Sequence, residues 1–339
     1  MRLLDLVSQC SSDFRIEAQT RTCPRKEFRV PSAADYAARV QTCESRYVLS
    51  DELVAVCAQL AFAEGDRLSG CLHLVHLPTT RLWVEWSDVA RDRAFAELNV
   101  AGPDCSANGK TGALSAGVLV TSSADGRSGT MQTFWSDEHH TPSVAPMETH
   151  IRLDAGWPED SGRPESVLAG GLIEVVAPPG DPLADLYECV RFGMHPLWAD
   201  YYRETARTSA ERAHVVKASL ATVARDIPIV LAFSLLLGAR GALRTRPIER
   251  CHLNRQRLCK GRRPLLDHIE VDQGLMRNDG APSGLEEASV ARHSPRLHRV
   301  RGHLFRRGAN VYWRVAHLRG NAALGRIKTR TVTLSISSA

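Results

Sequence analysis

Apolar and polar positions alternate along this chain in two different periods, and the change from one to the other predicts its elements. After Pro31 and Ser32, the stretch Ala33–Cys43 reads as a helix. Ser50 then caps Asp51–Ala63, in which Leu53, Val54, Cys57, Leu60 and Ala61 recur on one helical face. Gly70 opens an alternating run, Cys71–Leu77, a turn follows at Pro78–Arg81, and Leu82–Trp86 alternates again, which together predict an antiparallel strand pair. Residues 1–30 show no clear period. Short strands are predicted at Gly117–Thr121, Thr130–Trp135 and Thr149–Leu153, between turn-rich segments.

Asp181 and Pro182 signal a helix start, with Leu183, Leu186, Tyr187 and Val190 on one face, and Gly193 and Pro196 as its stop. A second helix is predicted over Ser209–Ala224. A third restarts at Asp226 and Pro228 and ends near Gly238; being apolar on most sides, it is expected at the centre of a core. A basic connector runs from Arg244 to Leu265, and Asp267–Val271 reads as a short strand. His298–Arg307, the tight Gly308-Ala309-Asn310 and Val311–Leu318 predict a hairpin, continued by a third strand over Arg326–Ser335. The pattern gives an α+β fold in four parts: N-terminal helices and a hairpin over 1–100, a loop-rich β region over 101–182, a helical core over 183–245 and a basic β-meander over 246–339.

Composition narrows the class. With 43% hydrophobic and 24% charged residues, the chain of 339 residues has the material for a globular core. Its longest apolar run, Ile227–Ala239, falls short of the roughly 18 residues a membrane span needs. No export signal is read at the N-terminus, so a cytoplasmic location is expected. Nine scattered cysteines without a C-x-x-C pair point to free thiols rather than a disulfide framework or a cysteine zinc site.

Charge is segregated. Residues 1–200 carry 17 Lys and Arg against 28 Asp and Glu, whereas residues 201–339 carry 26 against 10. Either the two halves face each other or the basic half meets an external polyanion such as nucleic acid. Of the basic residues 38 are Arg, whose planar fork suits phosphate contacts.

Candidate chemistry follows from that asymmetry. Arg299, Arg301, His303 and Phe305 alternate along the predicted first strand of the meander. Tyr312 and Arg314 share one face of the second strand, Trp313 and His317 the other, and Lys328 and Arg330 repeat the spacing on the third. With Arg306, Arg307 and Arg319, these residues form the candidate RNA or ribosome surface, since Arg interleaved with aromatics combines phosphate contacts with base stacking. The connector supplies a second basic set: Asn254, Arg255, Arg257, Lys260, Arg262 and Arg263. Asp104–Thr111 matches a phosphate loop at Gly109, Lys110 and Thr111 but has Asp where the first Gly belongs, so it is read as a lysine-bearing turn. His298 and His303 fall on opposite strand faces, and no metal site or cofactor is expected. Acid–base chemistry from His298, His303 and His317, as in a ribonuclease, is an alternative to the expectation of a non-enzyme.

The segment Ser294–Gly320, SPRLHRVRGHLFRRGANVYWRVAHLRG, resembles the C-terminal signature of a family of phage and plasmid proteins. That family includes a type V-A anti-CRISPR protein acting on biogenesis of the CRISPR nuclease. His252–Val271, the apolar helix before it and Leu77–Trp86 are similar in order and spacing. The resemblance implies a mobile-element protein that recognises a nascent polypeptide of a CRISPR or other host protein, with ribosome or RNA as further partner, no membrane, and loss of the cognate mRNA as outcome. The basic residues themselves leave open a nucleic-acid-binding accessory protein of a phage or plasmid.

Overall fold

The computed structural model describes residues 1–10, 14–16, 28–30, 33–62, 68–78, 80–98, 113–154, 157, 164–174, 184–274, 296–300, 303–307, 310–314, 317–319 and 321–326. Two compact units divide the chain: Met1–Gly238 with Thr245–Gln273, and Ala239–Arg244 with Gly274–Ala339.

The first unit is α+β. In chain order its elements are α1 (Leu3–Ser8), β1 (Phe14–Ile16), β2 (Phe28–Val30), α2 (Ala33–Gln41), β3 (Ser45–Leu49), α3 (Asp51–Phe62), β4 (Arg81–Ser87), α4 (Asp88–Glu97), β5 (Ser115–Ser122), β6 (Ser128–Ser136), β7 (Pro142–Arg152), β8 (Leu172–Ile173), α5 (Ala184–Glu188), β9 (Val190–Met194), α6 (Pro196–Thr205), α7 (Ser209–Ala224), α8 (Ile227–Gly238), β10 (Leu243–Ile248), α9 (Cys251–Cys259) and β11 (His268–Gln273). Nine of the strands make one mixed sheet in the order β10-β11-β3-β4-β5-β6-β7-β9-β8. β11, β3 and β4 run parallel, and pairing is antiparallel from β4 through β7 and β9 to β8.

The helices form where capping and periodicity agree. Leu53 donates its backbone N–H to Ser50 Oγ at 3.2 Å at the start of α3, and Thr208 and Glu211 close a reciprocal box on α7. α8 is buried along nearly its whole length, as its all-round apolarity requires. On one face of the sheet Trp83 and Phe134 pack with ring centroids 5.5 Å apart, and Tyr36 of α2 meets Phe134 edge-on at 5.3 Å.

Four expectations are corrected. Cys71–Leu77 is no strand: Ser69–Leu74 is a 3-10 helix, and β4 takes its partners from β3 and β5. The helix expected to run through Val190 is the five-residue α5 followed by β9, and Pro196 opens α6, where a missing N–H costs nothing. The basic connector is structured as β10 and α9. The fourth concerns the C-terminal meander.

In the second unit the strands are β12 (Arg296–Val300), β13 (His303–Arg307), β14 (Asn310–Arg314), β15 (His317–Arg319) and β16 (Asn321–Arg326). The hairpin about Gly308-Ala309 is present as β13 and β14. The long first strand expected over His298–Arg307 is instead two, because β12 pairs antiparallel with β15 and parallel with β16 while β13 pairs only with β14 among the described residues. Beyond Arg326 the expected third strand lies outside the described residues, as does the Asp104–Thr111 turn.

Candidate nucleic-acid interface

The best-defined basic surface lies on α9 and the turn behind it. This helix buries none of its residues, and Leu258 is 60% exposed. Its lack of an apolar stripe raises the question of what holds it in place. Side-chain clips to the following segment provide the answer. Asn254 Nδ2 donates to the Leu265 carbonyl at 2.9 Å while its Oδ1 accepts from Leu265 N–H at 2.8 Å. Arg257 Nε donates to the Arg263 carbonyl at 2.8 Å, and an Arg263 NH1 donates to the Gln9 carbonyl at 2.8 Å. Asp267 receives the Arg250 backbone N–H at 2.6 Å.

A left-handed glycine stops the helix. Gly261 has φ of +65°, its N–H reaches the Leu258 carbonyl at 2.9 Å, and Arg262 N–H reaches the Arg257 carbonyl at 2.9 Å, the double closure of a Schellman end. The turn throws Lys260, Arg262 and Arg263 outward beside Arg255, all of them exposed. Of the six residues in this predicted set, Asn254, Arg257 and Arg263 therefore build the scaffold, and Arg255, Lys260 and Arg262 are the cations it displays. Among the described residues no carboxylate pairs with Arg255, Arg257, Lys260, Arg262 or Arg263. The nearby Glu270 is already taken: Arg246 and Arg2 both pair with it, and the Arg246 hydrogen bond, ahead of its charge, holds the Glu270 carboxyl below the usual range. Sequence reading missed the role of Arg246, whose only signal was its place in the basic connector.

In the second unit the backbone register sorts the predicted residues. Opposed positions on β13 and β14 are His303 with Arg314, Leu304 with Trp313, Phe305 with Tyr312, Arg306 with Val311 and Arg307 with Asn310. Directly opposed positions share a face and alternate pairs change face, so His303, Phe305, Arg307, Tyr312 and Arg314 fall on one face, and Arg306 and Trp313 on the other. Arg299 lies on β12 opposite Leu318, His317 opposite Val300, and Arg319 opposite His298. The register thus sets His303 and Phe305 of β13 on the same face as Tyr312 and Arg314 of β14, and it places Arg299 on a different strand pair. Arg301, Lys328 and Arg330 lie outside the described residues. Among the described residues no group of three or more His, Cys, Asp and Glu is arranged to hold a metal, and no helix is long and apolar enough to cross a membrane.

Comparison with protein-family models, with curated proteins and with solved structures gives no match to this chain.

Proposed function

We propose that this chain is an RNA-binding protein that contacts RNA or a ribosomal surface through α9 with its turn and through the basic aromatic hairpin face of the second unit. The observation that carries this reading is the display of Arg255, Lys260 and Arg262 on a helix that buries nothing and meets no described carboxylate. Cations kept unneutralised on a rigid scaffold suit phosphates, whose binding releases condensed counterions. Had these three cations served only to pair with the acidic half, described carboxylates would stand against them, as Glu270 stands against Arg246.

The finer reading comes from the resemblance of Ser294–Gly320. In it the RNA or ribosome contact anchors the chain while it recognises a nascent polypeptide and lowers the level of that polypeptide's mRNA. Crosslinking of the protein to RNA in cells, followed by peptide mapping, is expected to place crosslinks within 255–262 and 303–314; crosslinks confined elsewhere overturn the RNA reading. Expression beside a tagged type V-A nuclease is expected to lower that transcript only while its start codon is intact. A fall that persists without the start codon leaves a nucleic-acid-binding accessory protein and removes nascent-peptide recognition.

A further inference from the structure

A second group of ionisable side chains lies on the antiparallel part of the sheet, on the face that also carries Gln132, the partner of Tyr36. The register of β7 against β9 sets Glu148 opposite Gly193 and His150 opposite Arg191. His195 follows β9 by one residue, and its backbone N–H donates to the Pro146 carbonyl at 3.1 Å. Since residues two apart share a face, Pro146, Glu148 and His150 line up against His195, Gly193 and Arg191. Gly193 is the floor between them. A Cβ there would come within 3.1 Å of His150 Nε2 and 3.0 Å of Leu172 Cδ2, so His150 leans over the gap that glycine leaves.

Each side chain in the group is oriented differently. His150 Nε2 stands 3.5 Å from Glu148 Oε2, with both side chains about one-third exposed. This directs one ring nitrogen at the carboxylate and leaves Nδ1 as the lone-pair side. His195 caps α6, and its Nδ1 accepts the Leu197 N–H at 3.4 Å, which puts the ring proton on Nε2. The carboxylate between the two rings also bears on Tyr36 of α2, whose hydroxyl donates to Gln132 Oε1 at 3.3 Å. Arg191, the cation opposite His150, is engaged by Glu174 at 3.1 Å and by the Glu188 and Val190 carbonyls.

We propose that His150, Glu148 and His195 form a general-base hydrolytic site for an uncharged carboxylic ester. His150 takes a proton from water as the water oxygen attacks the ester carbonyl carbon. Glu148 holds the resulting imidazolium, and His195 Nε2–H donates to the oxyanion. Collapse breaks the bond from the carbonyl carbon to the alkoxy oxygen, and His150 returns its proton to that oxygen, giving a carboxylic acid and an alcohol. An ester fits better than a phosphodiester, because a carboxylate sits at the centre of the group and the nearest guanidinium is spent on Glu174. Burial lowers both imidazoles from 6.5, with Glu148 opposing, so each is neutral near pH 7 as a base and an N–H donor must be.

The test is hydrolysis of p-nitrophenyl acetate by the full chain, with variants His150→Gln, Glu148→Gln, Gly193→Ala and His195→Asn. The last keeps a cap acceptor for α6. The wild-type rate is expected to climb with pH to a plateau, with its midpoint below 6.5. His150→Gln should lose at least tenfold in kcat, His195→Asn a comparable factor with KM little changed, and Glu148→Gln should move the pH midpoint downward. A rate that the His150→Gln and His195→Asn variants share with wild type, in proteins with unchanged circular dichroism, overturns the proposal. So does a rate no higher than that of free imidazole at equal concentration.

Discussion

Arginine does opposite work in two parts of this molecule. In α4, Arg91 is 4% exposed and pairs with Asp88 at 2.8 Å, Asp226 at 2.5 Å and Asp92 at 2.9 Å. Those carboxylates outweigh its desolvation and hold its guanidinium charged. On α9, Arg255 is exposed and meets no described carboxylate. The first arrangement is self-contained: one cation ties α4 to the start of α8 and offers nothing to solvent. The second is open. The first 200 residues hold 28 carboxylates, and among the described residues none of them pairs with Arg255, Lys260 or Arg262. Net charge alone hides this difference, because both arginines enter the same sum.

The buried side of the comparison is broken most sharply by Arg91→Met. That change leaves Asp88 and Asp226 buried without their cation, and the stability loss expected from denaturant unfolding is about 3–5 kcal/mol. Converting Asp88 and Asp226 to Asn in the same variant should restore part of it, since the penalty belongs to the orphaned charges. A loss below about 1 kcal/mol for the single variant would place the α4–α8 tie outside the charge network.

A second buried carboxylate sharpens the contrast without any arginine at bonding distance. Glu85 on β4 accepts the N–H groups of Leu3 and Leu4, each at 2.9 Å, and Trp83 Nε1 at 3.2 Å, so it satisfies the first turn of α1. Glu85→Ala removes the acceptor of all three donors, and a loss of about 2 kcal/mol is expected. Burial is the largest influence on Glu85 and raises its carboxyl above 4.5, against the pull of those donors. A raised folded-state value means that its contribution is complete below about 4.5 and declines as pH rises through the folded value. The difference between wild type and Glu85→Ala should therefore be largest near pH 4 and shrink toward pH 7; a difference that grows with pH contradicts the assignment.

On the exposed side the expected stability effect is smallest. Replacing Arg255, Lys260 and Arg262 with Ala should shift stability by no more than about 0.5 kcal/mol, because none of the three side chains makes a described hydrogen bond or ion pair. Asn254→Ala should instead loosen α9, since it removes both bonds to Leu265. Hydrogen exchange across Cys251–Cys259 separates the two outcomes.

How much of this could be read from the chain depends on where its polar residues sit. α3 was legible because Ser50 caps its apolar periodicity, and α8 because its run is apolar on most sides after Asp226 and Pro228. α4 was not, since Asp88 and Arg91 occupy core positions where the pattern demands apolar residues, and the second buried carboxylate that Arg91 pairs with, Asp226, lies 135 residues away. β9 passed for the tail of a helix because Val190 suits either period and Pro196 reads equally as a stop or as a first-turn residue. The basic residues of the α9 set were visible as composition. Their division into Asn254, Arg257 and Arg263 as scaffold and Arg255, Lys260 and Arg262 as display was not, because it rests on bonds to the Leu265, Arg263 and Gln9 backbones. The group at Glu148, His150 and His195 was equally invisible, for Gly193 and His195 come to it from another strand.

The central claim is that α9 is left open for an external polyanion, and the salt dependence of RNA binding tests it most directly. Affinity for a single-stranded RNA is measured from about 50 to 200 mM salt for wild type and for the Arg255→Ala, Lys260→Ala, Arg262→Ala triple variant. Three lost phosphate contacts should reduce the slope of log affinity against log salt by about 2, with weaker binding at every salt concentration. An unchanged slope and affinity in the folded triple variant would contradict the account.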